Sequence, residues 1–223
     1  VIKHGYNSER INALRDLLNE KGLSTPVYMF GRNEDSERIL PKLNVIAVID
    51  DFLKLPAAWH GKNVVQLSDV PKHCLIINGV TNSKPRIAQN RLLNAGYKNV
   101  FYLCELVHVF NQELTFPNFV LQSRQDLVDN QQQWQVLFDT LEDKTSRQVC
   151  TEILKYRITG DPNVLSEYDY RPEEQYFESF LKLQNEVFVD AGGFDGETSI
   201  EFARRYPDYK AILFFEPDPE NIE

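Results

Sequence analysis

Two periodicities alternate along the first hundred residues. From Ser8 to Lys21, apolar residues at Ile11, Leu14, Leu17 and Leu18 recur three and four apart, which predicts a helix capped by Ser8 and stopped by Gly22. Pro26 to Gly31 is a short apolar run ending in glycine and reads as a strand, followed by a polar helix over about Asp35 to Leu43. Asn44 to Asp50 is an unbroken β-branched run, the pattern of a strand buried on both faces. The pattern then repeats: a strand at Val64–Leu67, a turn or short helix from Ser68, and a buried strand from His73 to Asn78 ended by Gly79. A helix is predicted over Pro85 to Ala95, with Ile87, Leu92 and Leu93 buried and Gly96 as its stop, and Asn99 to Leu103 is the last strand. Strands and helices alternating through short connections predict an α/β fold with a doubly wound parallel sheet, ending near residue 105.

The middle of the chain carries helical periods only. Trp134, Leu137, Phe138 and Leu141 share one face of a helix over Gln131 to Glu142. Ser146 caps a second helix, with Val149, Ile153 and Tyr156 as its core stripe. Gly160 to Asn163 breaks that helix, and Asp169 to Pro172 is a polar, aromatic connection. A buried strand then opens at Val187, passes through a glycine turn into a helix from about Glu197 to Tyr206, and is followed by a strand over Ala211 to Phe215. Thr198, Ile200 and Ala203 are the positions expected to face the sheet. The expected organisation is a sheet domain over 1–105, a helical connector over 106–183 and the start of a second α/β domain over 184–223.

Composition narrows the functions. Hydrophobic residues are 42% and charged residues 26% of the 223, a balance that supports a buried core. No apolar run reaches the roughly 18–20 residues of a membrane span, and Val1 to Arg10 lacks the apolar stretch of a secretory signal. The first residue is Val, so the amino end is expected to be trimmed. With 24 basic against 33 acidic residues the net charge is −9, which argues against nucleic acid as a partner. Cys74, Cys104 and Cys150 are odd in number and widely spaced, so reduced thiols in a cytoplasmic protein are expected rather than disulfides or zinc. The four histidines are equally scattered, and no metal site is expected.

The first glycine turn, Phe30 to Asp35, holds only Gly31 of a dinucleotide fingerprint, and Glu34 and Asp35 would repel a phosphate. Asp50 and Asp51 could grip a pair of ribose hydroxyls but are more simply a turn and helix-start signal. The order Val-Tyr-Met-Phe-Gly, Val-Ile-Asp-Asp, Ile-Ile-Asn-Gly, Ala-Gly-Tyr-Lys-Asn-Val loosely resembles the nucleotide-sugar-binding domain that precedes some acyltransferases and methyltransferases. The non-binding reading of this turn is favoured.

The informative stretch runs from Val187 to Ser199. Three glycines lie between strand and helix, and Glu216 follows at the tip of the next strand, 26 positions after Asp190. Glycines let backbone close on a ligand, and an acid at the neighbouring strand tip accepts hydrogen bonds from ribose hydroxyls. Acids at Asp190, Asp195 and Glu197 make a poor pyrophosphate cradle. They suit a cationic ligand without phosphate, and S-adenosylmethionine has both properties.

The segments Phe188 to Thr198 and Phe215-Glu216-Pro217-Asp218-Pro219, with Asp143 to Arg147 and Glu174 to Phe177 upstream, make the sequence resemble FkbM-type methyltransferases over roughly residues 135–223. The resemblance implies a Rossmann-like class I methyltransferase domain that moves a methyl group from S-adenosylmethionine to an oxygen, often a sugar or secondary-metabolite hydroxyl. It places Asp190, Gly192 and Gly196 against the methionine moiety, with Gly193 and Thr198 in the same binding set. Glu216 would hold the ribose, and Tyr176 would close over the cofactor. It names no catalytic residue. The implied partner is a small-molecule acceptor, and a homo-oligomer is left open.

Two strands and one helix cannot bury their own apolar faces, so Val187, Val189, Leu213 and Phe215 are expected to be partly exposed. The expectation is a catalytically inactive fragment, or a sheet completed by another chain. The alternative function is a non-enzymatic module whose front domain binds a nucleotide sugar or a partner protein.

Overall fold

The apolar runs of the first half assemble into one six-stranded sheet. In a computed structural model the chain divides into two units, Val1–Tyr168 and Asp169–Glu223, and residues 6–81, 84–166, 171 and 174–221 are described. The first unit holds β1 (Val27–Phe30), β2 (Val45–Ile49), β3 (Ala57–Trp59), β4 (Lys62–Val65), β5 (Ile76–Asn78) and β6 (Val100–Tyr102) in the order β3-β4-β2-β1-β5-β6. Every pairing is parallel except β3 with β4, which is antiparallel. The order reverses direction between β1 and β5, the topological switch point of a doubly wound sheet.

The sheet is buried on both faces by two apolar clusters. One gathers Leu14 and Leu18 of α1 (Ser8–Leu18) with Met29, Val48, Ile77 and the first turns of α4 (Leu103–Val109). The other sets Phe30, Ile49 and Ile76 against Ala88 and Leu92 of α3 (Pro85–Asn94) and Tyr97. The Tyr97 hydroxyl donates to the carbonyls of Leu67 and Val70, so its one polar atom is satisfied inside that core.

Several elements depart from the expected pattern for visible reasons. Asn7, not Ser8, caps α1, its Oδ1 accepting from Glu9 N at 3.0 Å and Arg10 N at 3.3 Å. The second helix, α2 (Glu34–Ile39), continues only as a 3₁₀ turn over Leu40–Lys42. Ile46 in β2 is exposed, so that strand is not closed on both sides along its length. Ile87 and Leu93, expected in the core, are exposed; the inward face of α3 is Pro85, Ala88, Gln89 and Leu92. Buried Gln89 accepts from Asn78 Nδ2 through its Oε1 at 3.0 Å, while its own Nε2 is buried without a partner among the described residues. The strand β3 was not expected: it pairs with β4 through His60 and Gly61, both at positive φ, the geometry of a tight two-residue hairpin.

Three helices follow in the same unit: α5 (Asn118–Asp129), α6 (Gln131–Thr140) and α7 (Lys144–Thr159). None of the α6 residues is buried, so Trp134, Leu137 and Phe138 are not core positions. Asp143, rather than Ser146, caps α7, accepting from Ser146 N at 2.8 Å. Gly160 ends α7 at φ 67° and lies directly on Cys104 of α4. All three cysteines are free thiols. No described helix is long and apolar enough to cross a membrane.

The second unit is smaller. β7 (Val187–Ala191) and β8 (Ala211–Phe215) pair in parallel in register, Val187 opposite Ala211 and Ala191 opposite Phe215, with α8 (Glu197–Arg205) as the crossover. Phe202 of α8 stacks on Phe188 of β7 with ring centroids 4.3 Å apart, and Phe177, Tyr206 and Tyr209 surround it. Ile200, expected to face the sheet, is exposed instead, because Ser199 and Phe202 carry the inward stripe. Among the described residues no helix covers the opposite face of the pair: Val187, Val189, Leu213 and Phe215 are 46–58% exposed. The connection at Asp169–Pro172 lies largely outside the described residues.

Candidate functional site

The turn after β7 is built by three backbone constraints. Gly192 N and Gly193 N both donate to the Phe215 carbonyl, at 2.7 and 3.1 Å, tying the turn to the tip of β8. Gly192 and Gly196 sit at φ 78° and 80°, where a side chain is strained. Gly193 is needed for a different reason: a Cβ there would lie 2.2 Å from Cε2 of Phe214. Gly196 N then donates to Gly193 O at 2.8 Å, and Gly196 becomes the N-cap of α8.

Glu216 closes the arrangement. Its carboxylate accepts from Phe194 N in the glycine turn at 2.8 Å and from Asp218 N at 2.8 Å. These backbone donors, Asp218 first, hold its pKa below the ordinary glutamate value. The turn and the strand-tip acid, 22 residues apart at Phe194 and Glu216, are therefore one local structure. Phe194 sits at φ 52°, a left-handed conformation uncommon for a side-chain-bearing residue, and its ring is exposed.

Asp190 lies beneath the turn and is nearly buried. Its Oδ2 accepts from Ser199 Oγ at 2.6 Å, which ties the end of β7 to the first turn of α8. Thr198 is half-buried on the same turn of the helix. Tyr176 stands apart from this group: it is exposed, and its hydroxyl accepts from Gln175. So the structure brings Gly192, Gly193, Gly196, Asp190, Thr198 and Glu216 to the carboxyl end of one strand pair and does not bring Tyr176 there. Sequence reasoning passed over Ser199 and Phe214; the signals were a hydroxyl nine residues after Asp190 and an aromatic directly opposite it in register.

The charge of the turn selects its ligands. From Val187 to Ala203 the sequence has four acidic residues and no Lys or Arg. Gly192 is open: a Cβ added there would meet nothing within 4 Å. An open cradle with an acid at the neighbouring strand tip and no basic group fits a cationic nucleoside without phosphate. The residues present therefore fit S-adenosylmethionine.

A solved structure shares this architecture. The chain is similar to a crystal structure of methyltransferase FkbM from Methylobacillus flagellatus KT, with a TM-score of 0.61 and 18% identity over 96% of this chain. Its α/β fold is that of the methyltransferase. The match spans 64% of the length of that solved chain. No protein-family model matches the sequence, and no curated protein matches it.

Asp50 and Asp51 of the first unit are held in ion pairs and turns. Asp50 Oδ2 pairs with Arg32 Nε at 2.6 Å while Oδ1 accepts from Phe52 N at 2.8 Å. Asp51 pairs with Arg91 and accepts from Leu67 N at 2.6 Å. Both act as turn and ion-pair residues. Gly31 is accounted for by packing, since a Cβ would lie 2.7 Å from Cγ2 of Val80.

Proposed function

We propose that the second unit is the S-adenosylmethionine-binding end of a methyltransferase that acts on a hydroxyl oxygen of a sugar or other small metabolite. The observation that carries this reading is the single local structure in which Glu216, the Phe194 amide and the open glycine turn meet at the two strand tips. The similarity in fold to the solved methyltransferase supports it. When bound, the cofactor supplies an electrophilic methyl group on a positively charged sulfur.

Each residue then has a task. Glu216 accepts the hydroxyls of the ribose, exchanging one of its backbone donors for them. Asp190, with Oδ2 held by Ser199, adds negative potential beneath the cationic end. Gly192 admits the ligand because nothing projects there. The acids at Asp195 and Glu197 exclude phosphate-bearing competitors by repulsion. The bare apolar face of β7 and β8 supports a further reading: additional strands complete this sheet and carry the acceptor site, so the 223 residues bind cofactor without turning it over.

Calorimetric titration of S-adenosylmethionine and S-adenosylhomocysteine into the chain tests this. Both are expected to bind, and Glu216→Ala is expected to weaken binding by about 1–3 kcal/mol, the cost of leaving ribose hydroxyls unpaired. Binding that survives Glu216→Ala unchanged would remove the ribose assignment. Absence of binding by either compound would remove the methyltransferase reading.

A further inference from the structure

The switch point of the first sheet opens into a cavity that the cofactor reading does not use. Its volume is about 710 Å³, within the roughly 300–1,000 Å³ typical of small-molecule sites. Asn33, Glu34 and Asp35, after β1, form one wall, and Thr81 and Pro85, after β5, form the opposite one. The helices α5 and α7 close it with Phe119, Ile153 and Tyr156.

The position where such a sheet would cradle a phosphate is filled by protein. A Cβ on Gly79 would lie 2.1 Å from Ser36 Oγ, and one on Gly31 would lie 2.7 Å from Val80. Asn33 Nδ2 donates across the gap to Gly79 O at 2.7 Å. The two loops are thus zipped together, and the space between them is filled by side chains. Recognition falls to side chains one layer farther out.

Those side chains divide into satisfied and free. Asp35 is satisfied, accepting from Thr81 Oγ1 at 2.7 Å and from Arg38 Nη2 at 3.1 Å. Tyr156 donates its hydroxyl proton to Thr81 O. Among the described residues, Glu34 and Arg157 have no hydrogen-bond or ion-pair partner, and the Asn118 amide nitrogen donates to nothing. The three free groups are planar and two-pronged: one carboxylate that accepts a pair of hydrogen bonds, and a guanidinium and an amide that each donate a pair. Glu34 and Arg157 cancel in charge, so the cavity favours an uncharged ligand. Phe119 lies 5.7 Å from Tyr156 with the rings 26° from parallel, a flat apolar wall continued by Ile153 and Leu165. Adjacent hydroxyls around a ring that also has an apolar C–H face match this set.

We infer that the switch-point cavity binds an uncharged sugar ring, holding neighbouring hydroxyls with Glu34, Arg157 and Asn118 and stacking its C–H face on Phe119. The ring is either a simple glycoside or the glycosyl part of a larger molecule. The inference is independent of the cofactor reading, because every residue in it belongs to the first unit.

Saturation-transfer NMR on the full chain, with methyl glycosides of glucose, galactose and N-acetylglucosamine in one arm and UDP-glucose and UDP in the other, is the test. Transfer to the ring protons of at least one glycoside is expected. Glu34→Gln and Arg157→Gln are each expected to weaken it about tenfold. Both residues are exposed, so the unfolding midpoint should not move. Transfer to the hexose of UDP-glucose, with UDP inert, supports the same site reading a larger glycosyl compound. Silence from every sugar, UDP binding as well as UDP-glucose, or full binding in both variants would overturn the inference.

Discussion

Gly160→Ala is expected to destabilise the first unit by about 2–5 kcal/mol, and the structure divides that cost in two. Gly160 has φ 67°, where an alanine pays about 1–2 kcal/mol in backbone strain. Its added methyl would also lie 2.3 Å from Cys104 Sγ and 3.0 Å from Cys104 Cβ, and overpacking at a rigid contact costs about 1–3 kcal/mol. Cys104 is buried on α4 and cannot swing away. Cys104→Ala alone should cost about 1 kcal/mol for the lost buried sulfur. In the double variant the closest clash is gone while the strain remains, so its cost should fall short of the summed single costs by about 1–2 kcal/mol. Urea unfolding followed by tryptophan fluorescence reads this unit selectively, because both tryptophans, Trp59 and Trp134, lie in it. A loss under about 0.5 kcal/mol, or strict additivity in the cycle, would refute the packing of the α7 terminus on α4.

Burial, with Arg15 and Arg124 behind it, holds the His108 pKa below its ordinary value. Protonation is therefore disfavoured in the folded state, and stability present above about pH 6.5 should be lost as pH falls through the depressed value. His108→Gln should flatten the urea midpoint between neutral and mildly acidic pH. The Glu216 pKa is also lowered, so its hold on the Phe194 amide should persist above the usual glutamate range and fail as pH falls through the depressed value; the Phe194 amide shift by NMR, absent its step in Glu216→Gln, checks this. Phe202→Ala removes the centre of the second unit's aromatic cluster, at about 3–5 kcal/mol. Trypsin should then cut faster at Arg204 and Arg205 while the tryptophan transition stays in place. Gly193→Ala drives a methyl into Phe214 and should weaken S-adenosylhomocysteine binding about tenfold, with partial recovery in the Gly193→Ala, Phe214→Ala pair.

The candidate site was legible because its determinants are local. Glycines at 192, 193 and 196 and an acid at 216 declare a turn and a strand tip whatever surrounds them, and the structure adds the bonds from Gly192, Gly193 and Phe194 N that join them. The parallel strands were legible for the same reason, as short apolar runs between turn signals. What the sequence concealed depends on tertiary partners. A helical period at Trp134, Leu137 and Phe138 says that one face is apolar, not that anything covers it, and α6 remains uncovered. In α3 the inward face went to Ala88 and Gln89 instead of Ile87 and Leu93, with Gln89 Oε1 meeting Asn78, a partner eleven residues away that the helical period does not reveal. Asp50 and Asp51 could have been ribose ligands on sequence alone; Arg32 and Arg91, remote in the chain, decide otherwise.

The same distinction separates the ligands proposed for the two units. In the second unit the glycine turn keeps its backbone open and leaves the strand-tip acid within reach, so recognition can run through main chain and one carboxylate. In the first unit the corresponding space is closed by Val80, Ser36 and Asn33. Each closing contact uses an ordinary side chain where a nucleotide site would leave room. That exchange stiffens the loops after β1 and β5 and removes the phosphate cradle together. What survives is a cavity bounded by side chains on four separate elements, and specificity there has to come from the directions in which Glu34, Arg157 and Asn118 present their paired atoms. Local packing around each turn, rather than the α/β fold itself, decides what the space beside it can hold.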